Sequence, residues 1–465
     1  MMKELFGILA LLLLLFVACN SAAPEVADTK AENAATTETD PLDWVKNANI
    51  YEVNVRQYSA EGDFKGFEQH LTRLKEMGVD ILWFMPIYPI SEARRKGTLG
   101  SYYAIADYTA VNPNFGTMEE FKALVDKIHS MGMKVILDWV PNHTGWDHAW
   151  ITEHPEYYTK NEDGEITDPI KEDGETWGWT DVADLDYSNQ EMRKAMIEEM
   201  KFWVEEVDVD GFRCDVASEV PDDFWAQARP ALDAVKPVFM LAEAEHPPHR
   251  NEGHFHMSYG WSFHHLMNKI AQGEKKASDI DAWYKKDREA FKQGWAMHFL
   301  TNHDENSWNG TIEERMGDAH KAMAVLAFTF DGMPLIYSGQ EAGLNKRLEF
   351  FEKDEIDWSD LSLQPFYQKL LTLKHDNPAL WNGAYGGTLN RIGTTNDEAV
   401  YAFSREKGDR KVVVVINLTD KQQEVELKGD SFAGDYNDVF ANSTLSLTQD
   451  MTLTLEAYNF LVLSK

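Results

Sequence analysis

The chain has 465 residues with 43% hydrophobic and 12% aromatic content, more than a single core usually holds, so two or three structural units are expected. Asp and Glu number 78 against 44 Lys and Arg, a net charge of −34, which repels phosphate backbones and anionic lipid heads and argues against nucleic acid as a partner. Two cysteines, Cys19 and Cys214, exclude a disulfide framework.

Lys3 precedes an apolar run from Leu5 to Val17, right for a signal peptide and too short to span a bilayer. Phe16-Val17-Ala18-Cys19 resembles a bacterial lipobox, with Phe16 where Leu is usual. Cys19 is then the lipidation site; the alternative is an ordinary signal peptide with a chance cysteine. Asn20–Asp40 is rich in Ala, Thr and acids, and residues 20–45 read as a flexible tether. The expectation is an exported protein of a bacterial cell envelope, lipid-anchored at the outer membrane, because Asn20 is not the Asp that often retains lipoproteins at the inner one. Its only membrane contact is the anchor.

Strands and helices then alternate. Ile50–Val55 is an apolar run, and Phe67, Leu71, Leu74 and Met77 follow at helical spacing up to Gly78. Ile81–Met85 is a second buried strand. Phe121, Leu124, Val125 and Ile128 mark one helix face before Val135–Val140, and Met192–Val207 repeats the helical period before Gly211–Asp215. Val238–Glu243, Met297–Asn302 and Leu335–Tyr337 are further runs, with a weaker one at Met257–Trp261. Strands buried on both faces, each followed by a helix, predict a parallel sheet. Eight units favour a closed (β/α)8 barrel (TIM barrel) over a doubly wound open sheet. Thr144–Ala183 breaks the rhythm as a polar, Trp-bearing excursion after the third strand. After Tyr385, Val400–Ser404, Val412–Leu418, Glu424–Leu427, Leu445–Leu447 and Leu453–Leu463 predict a C-terminal antiparallel β-sandwich. The barrel is thus expected over 46–143 and 184–384, the excursion over 144–183 and the sandwich over 385–465.

Barrel enzymes carry their chemistry at the C-terminal ends of the strands. Those ends hold Asp138-Trp-Val-Pro-Asn142-His143, Arg213-Cys-Asp215, Glu243 and Asn302-His303-Asp304, with Tyr103 in the loop after the second strand. One such Asp is usually a turn or cap residue. Carboxylates ending the fourth, fifth and seventh strands of one barrel converge on one mouth. With an arginine and two histidines, they suit a reaction that develops positive charge on a sugar and protonates a leaving oxygen.

These segments resemble, in order, the short sequence regions of the α-amylase family of retaining glycoside hydrolases (glycoside hydrolase family 13). Asp138–His143, Gly211–Asp215, Leu241–Glu243 and Phe299–Asp304 match its first four regions, and Val182–Asp186 resembles the fifth. Tyr103–Tyr108 and Gly332–Glu341 resemble two further segments. The resemblance implies an α-glucan hydrolase acting on α-1,4 bonds of starch or maltooligosaccharides. A transglycosylase of the same fold or a non-catalytic glycan-binding relative are the alternatives; relatives of the last kind lack some of the carboxylates. It implies Asp215 as nucleophile, Glu243 as acid and base, and Asp304 binding two sugar hydroxyls. His143 and His303 would bond the same sugar, Tyr103 would stack beneath it, and Arg213 would keep Asp215 ionised. Asn142 and Asp184 would ligate a structural Ca2+. The Lys-His pair common after the second region is replaced here by Ser218 and Glu219.

Six of the 15 histidines, His246, His249, His254, His256, His264 and His265, crowd into one stretch. A transition-metal site is one reading, but their spacings match no zinc signature, and a long loop over the barrel mouth is the preferred one.

Overall fold

A computed structural model describes residues 41–171, 174–449 and 451–465. The expected signal peptide, Cys19 and the tether up to residue 40 lie outside the described residues. Among the described residues no helix is long and apolar enough to cross a membrane.

Eight parallel strands close into a barrel in the order β1 (Ile50–Val53), β2 (Ile81–Phe84), β3 (Lys134–Trp139), β6 (Gly211–Cys214), β7 (Phe239–Ala242), β8 (Met257–Tyr259), β9 (Trp295–His298) and β10 (Met333–Tyr337), which returns to β1. Strand alternation divides the apolar residues into two cores. Ile50, Ile81, Trp83, Ile136, Phe239 and Leu241 fill the interior, while Tyr51, Leu82, Phe84, Leu137, Phe212 and Met240 face the surrounding helices. By the same alternation Glu52, Asp138 and Arg213 face inward, and all three side chains are fully buried. Polar residues therefore crown an apolar plug.

Between β3 and β6 the excursion opens and closes on a short antiparallel pair, β4 (His143–Gly145) and β5 (Val182–Asp184). The C-terminal region is an antiparallel six-stranded sheet, β11 (Thr388–Ile392), β12 (Val400–Lys407), β13 (Arg410–Asn417), β18 (Phe460–Ser464), β15 (Gly434–Asp438) and β16 (Ser443–Leu447), with a two-stranded sheet of β14 (Gln423–Glu426) and β17 (Thr452–Leu455). The two sheets share one core through Val413, Val415, Val425 and Leu453. The other face of the large sheet, with Phe403, Val414 and Val462, packs on the barrel helices.

Several expectations need correction. Residues 41–45 are not tether: Leu42 and Val45 are buried, Asp43–Asn47 forms a 3-10 turn, and both apolar side chains join the interior core beside Ile50. The first strand stops at Val53, and Val55–Tyr58 is a helical turn. The weaker run expected over Met257–Trp261 stops at Tyr259, because Trp261 begins a helix. The run expected to reach Asn302 leaves the ladder at His298: β8 ends at Tyr259 opposite Met297, and pairing with β10 stops at Pro334. Leu453–Leu463 is two strands in different sheets, split at Tyr458, whose φ of +53° turns the chain.

Candidate active site

The last rungs of the barrel ladder place the carboxylates. Asp215 N–H donates to Trp139 O at 2.8 Å and Glu243 N–H to Cys214 O at 3.0 Å, so each side chain starts where its strand ends. Arg213 links them from below. Its Nη1 donates to Asp138 Oδ1 and Asp215 Oδ1, both at 2.8 Å. Its Nη2 lies 3.0 Å from Glu243 Oε2, an ion pair that is off line for a hydrogen bond. The guanidinium is held among Trp83, Tyr259 and Tyr103, and its Nε donates to Tyr259 Oη at 3.1 Å. A planar fork serving three carboxyl groups is a task for Arg and not for Lys.

Burial then separates the acids. The Glu243 carboxyl is pushed up to about 8, first by burial and then by the like charges of Asp215 and Asp304, with Arg213 opposing. Burial likewise lifts Asp138 to about 7 against the pull of Arg213. His143 is held below the usual imidazole range by burial. His303 goes the other way, up to about 9: burial opposes this, but the charges of Asp304 and Glu52 outweigh it. As an imidazolium it donates from Nδ1 to Glu52 Oε1 at 2.5 Å and from Nε2 to Tyr103 Oη at 2.7 Å. Tyr103 in turn donates to Asp138 Oδ2 at 3.0 Å, and its ring stacks on His303 at 5.4 Å. One continuous buried network runs from Glu52 to Glu243.

These groups surround a cavity of about 520 Å³. Tyr103, His143, Asp215, Glu243, His303 and Asp304 line it, so six of the seven predicted catalytic and sugar-binding residues meet there, and Arg213 lies buried behind them. Asp304 directly precedes a π-helical turn, Glu305–Asn309, that brings Trp308 to the rim. From the excursion come Trp179 and Asp181, the latter paired with Lys96 at 2.7 Å. Trp177, which is 41% exposed, stacks on Trp179 at 5.2 Å. Trp150, by contrast, is excursion core. Asn142 and Asp184 lie outside the cavity lining, on the loop and strand that join barrel to excursion.

The sequence profile of the alpha amylase catalytic domain matches residues 27–387. The chain belongs to the α-amylase family. A maltogenic amylase C-terminal domain profile matches residues 392–462. The fold resembles a noncanonic maltogenic alpha-amylase from Thermotoga neapolitana, with a TM-score of 0.81 and 31% identity over 90% of this chain and 99% of the other. It also resembles an alpha-amylase from Lactobacillus plantarum, with a TM-score of 0.78 and 31% identity over 91% and 99%. By sequence it is 26% identical to alpha-amylase 3 of Dictyoglomus thermophilum, over 81% of this chain and 85% of that one.

For this amylase-family glycoside hydrolase, sequence reasoning missed Glu52, the network role of Asp138, and the rim residues Lys96, Asp181, Trp308 and Phe350. A charged residue inside the apolar run Ile50–Val55 was the available signal for Glu52, since a strand buried on both faces tolerates a charge only with a partner. Cys214 is a buried thiol, as its place in an apolar strand implies.

Proposed function

We propose that the chain hydrolyses α-1,4-glucosidic bonds of starch or maltooligosaccharides with retention of anomeric configuration. The observation that carries this reading is one guanidinium, Arg213, gripping both Asp215 and Glu243 while burial keeps a proton on Glu243. In the first step an Asp215 oxygen forms a bond to the anomeric carbon while the bond to the aglycone oxygen breaks, and Glu243 gives that oxygen its proton. In the second, water attacks the same carbon, its proton passes to the Glu243 carboxylate, and the bond to Asp215 breaks. Asp304 binds hydroxyls of the same sugar, and His303 turns its Nε2–H, held by Tyr103 in the free chain, to one of them while Nδ1–H stays on Glu52. His143 bonds the sugar as a neutral imidazole, and Tyr103 supplies a ring face beneath it.

A transglycosylase shares the first step and differs in the acceptor of the second. A time course on maltoheptaose separates the readings: hydrolysis yields only shorter products, transfer yields longer ones, and a glycan-binding protein yields none. Asp215→Asn and Glu243→Gln should each lower kcat by at least about a thousandfold with the fold intact.

Calcium belongs to the same proposal as a structural ion. Asp184 is pushed up to about 7 by burial, with the like charges of Asp186, Asp168 and Glu219 adding and a hydrogen bond from Thr159 opposing. Asp168 Oδ2 is buried with no hydrogen-bond partner. Such an oxygen-rich, charge-deficient set fits a hard divalent cation, and Asn142 and Asp184 would hold it, tying barrel to excursion.

Export and anchoring through Cys19 at a bacterial outer membrane complete the reading, supported by the apolar run Leu5–Val17 and the polar stretch after it. Cys19→Ala should release the protein from the membrane fraction of its host; retention there would refute the anchor.

A further inference from the structure

Outside the cleft machinery, three side chains converge beside the loop that follows Glu243. Asp222 opens the helix Asp222–Asp233, and His246 and His249 flank the start of the short helix Pro247–Asn251. Asp222 Oδ2 lies 3.0 Å from His246 Nε2, and Oδ1 lies 3.4 Å from His249 Nε2. One potential ligand atom from each residue falls within 4.8 Å of the others. The two imidazole rings stand at 76° to each other with centroids 4.8 Å apart. A tetrahedral ion bound at about 2.0–2.1 Å by nitrogen and oxygen ligands separates those ligands by about 3.3 Å, and the two carboxylate–imidazole spacings, each made by a different Asp222 oxygen and the shorter one a hydrogen bond, are of that size.

His249 is the residue that needs explaining. Its side chain is fully buried against Trp225 and Phe255, and neither ring nitrogen makes a hydrogen bond. The Asp222 carboxylate is close enough but lies off line for one. An imidazole stripped of water and left without a partner is costly unless something takes its lone pair. With no hydrogen bond at either nitrogen, the ring keeps a lone pair free to ligate. Asp222 and His246 are about 40% exposed, which leaves an open approach from solvent.

We propose that Asp222, His246 and His249 bind a divalent transition-metal ion, with zinc the best fit and water in the fourth position. Two imidazoles and one carboxylate favour a borderline ion over calcium or magnesium, which prefer all-oxygen shells. The ion would join the helix that follows Asp215 to the loop that follows Glu243, bracing the two segments that carry these carboxylates. Spacing rules miss the site because only His246 and His249 are close in sequence. The third ligand comes from another barrel unit, and the loop reading of the histidine cluster concealed it.

The test uses the full chain, stripped with chelator and titrated with Zn2+ by calorimetry, and with Co2+ as a visible probe of geometry. One Zn2+ should bind per chain, and Co2+ should give the intense visible bands of a tetrahedral centre. Asp222→Asn and His246→Ala should each weaken Zn2+ binding by roughly a hundredfold or more and abolish those bands. Both side chains are partly exposed, so the metal-free variants should melt with the metal-free parent; if one melts lower, the other decides. Absence of Zn2+ binding in the parent, or unchanged affinity in the variants, would overturn the proposal.

Discussion

The backbone N–H of Val216 donates to Glu243 Oε2 at 2.8 Å from a left-handed conformation, φ +36° and ψ +45°. A β-branched residue there is strained by about 1–3 kcal/mol, and this one directly follows Asp215. The strain aims an amide at the acid and fixes its carboxyl beside Arg213. Val216→Gly should therefore raise thermal stability or leave it unchanged while lowering kcat about tenfold, because the relaxed turn no longer holds Glu243. Val216→Ala, which loses the same methyl groups but keeps most of the strain, separates the two effects. Melting curves and kcat for both variants are the check.

Glu243 sets a pH dependence with a definite sign. Its folded-state pKa, about 8, lies above the ordinary carboxylate value. The acid form required for the first step is lost as pH rises through that value, so kcat/KM should fall on an alkaline limb near pH 8. Linkage runs the same way. The stability this group contributes is fully present below about pH 4.5 and is lost as pH rises through about 8. Glu243→Gln removes that loss. Between pH 5 and 9 its melting temperature should fall by at least about 2 °C less than that of the parent.

Glu52 and His303 also form a buried ionisable pair, at 2.5 Å. A histidine raised to about 9 contributes stability that is fully present below about pH 6.5 and lost as pH climbs through 9. Glu52→Gln should cost about 1.5–3 kcal/mol at pH 6, the worth of a hydrogen bond to a charged group, and clearly less at pH 9.5. Urea unfolding at the two pH values measures this. An equal loss at both would mean that His303 is neutral.

If calcium is held by Asn142 and Asp184, it binds the folded chain and not the unfolded one. At a free concentration of about 100 times Kd, it should add roughly 2.7 kcal/mol of stability. Chelator should lower the melting temperature, and Asp184→Ala should remove that response. A chelator-insensitive melt, or a response that survives the substitution, would assign the half-buried carboxylates at Asp168 and Asp184 another purpose.

The barrel was readable because each strand is an apolar run and each helix repeats near 3.6, and the acids stood out because they end those runs. What escaped has physical causes. Glu52 hides in an apolar stretch, and only the inward turn of its side chain reveals that it can meet His303, far along the chain. Leu42 and Val45 look like the end of a polar tether, yet they close the barrel floor, a contact that local pattern does not encode. Leu453–Leu463 reads as one apolar alternation, and the turn at Tyr458 splits it between two sheets. The Asp222–His246–His249 cluster depends on the parallel packing of two barrel units, which only the fold supplies.

The central claim, a double displacement through Asp215 assisted by Glu243, is tested most directly by the anomeric form of the first product. Maltoheptaose is mixed with enzyme at a concentration high enough to outrun mutarotation, and the reducing-end proton is followed by NMR. The α anomer should appear first, with the β form growing in later as mutarotation proceeds. Initial appearance of the β anomer would contradict the double displacement.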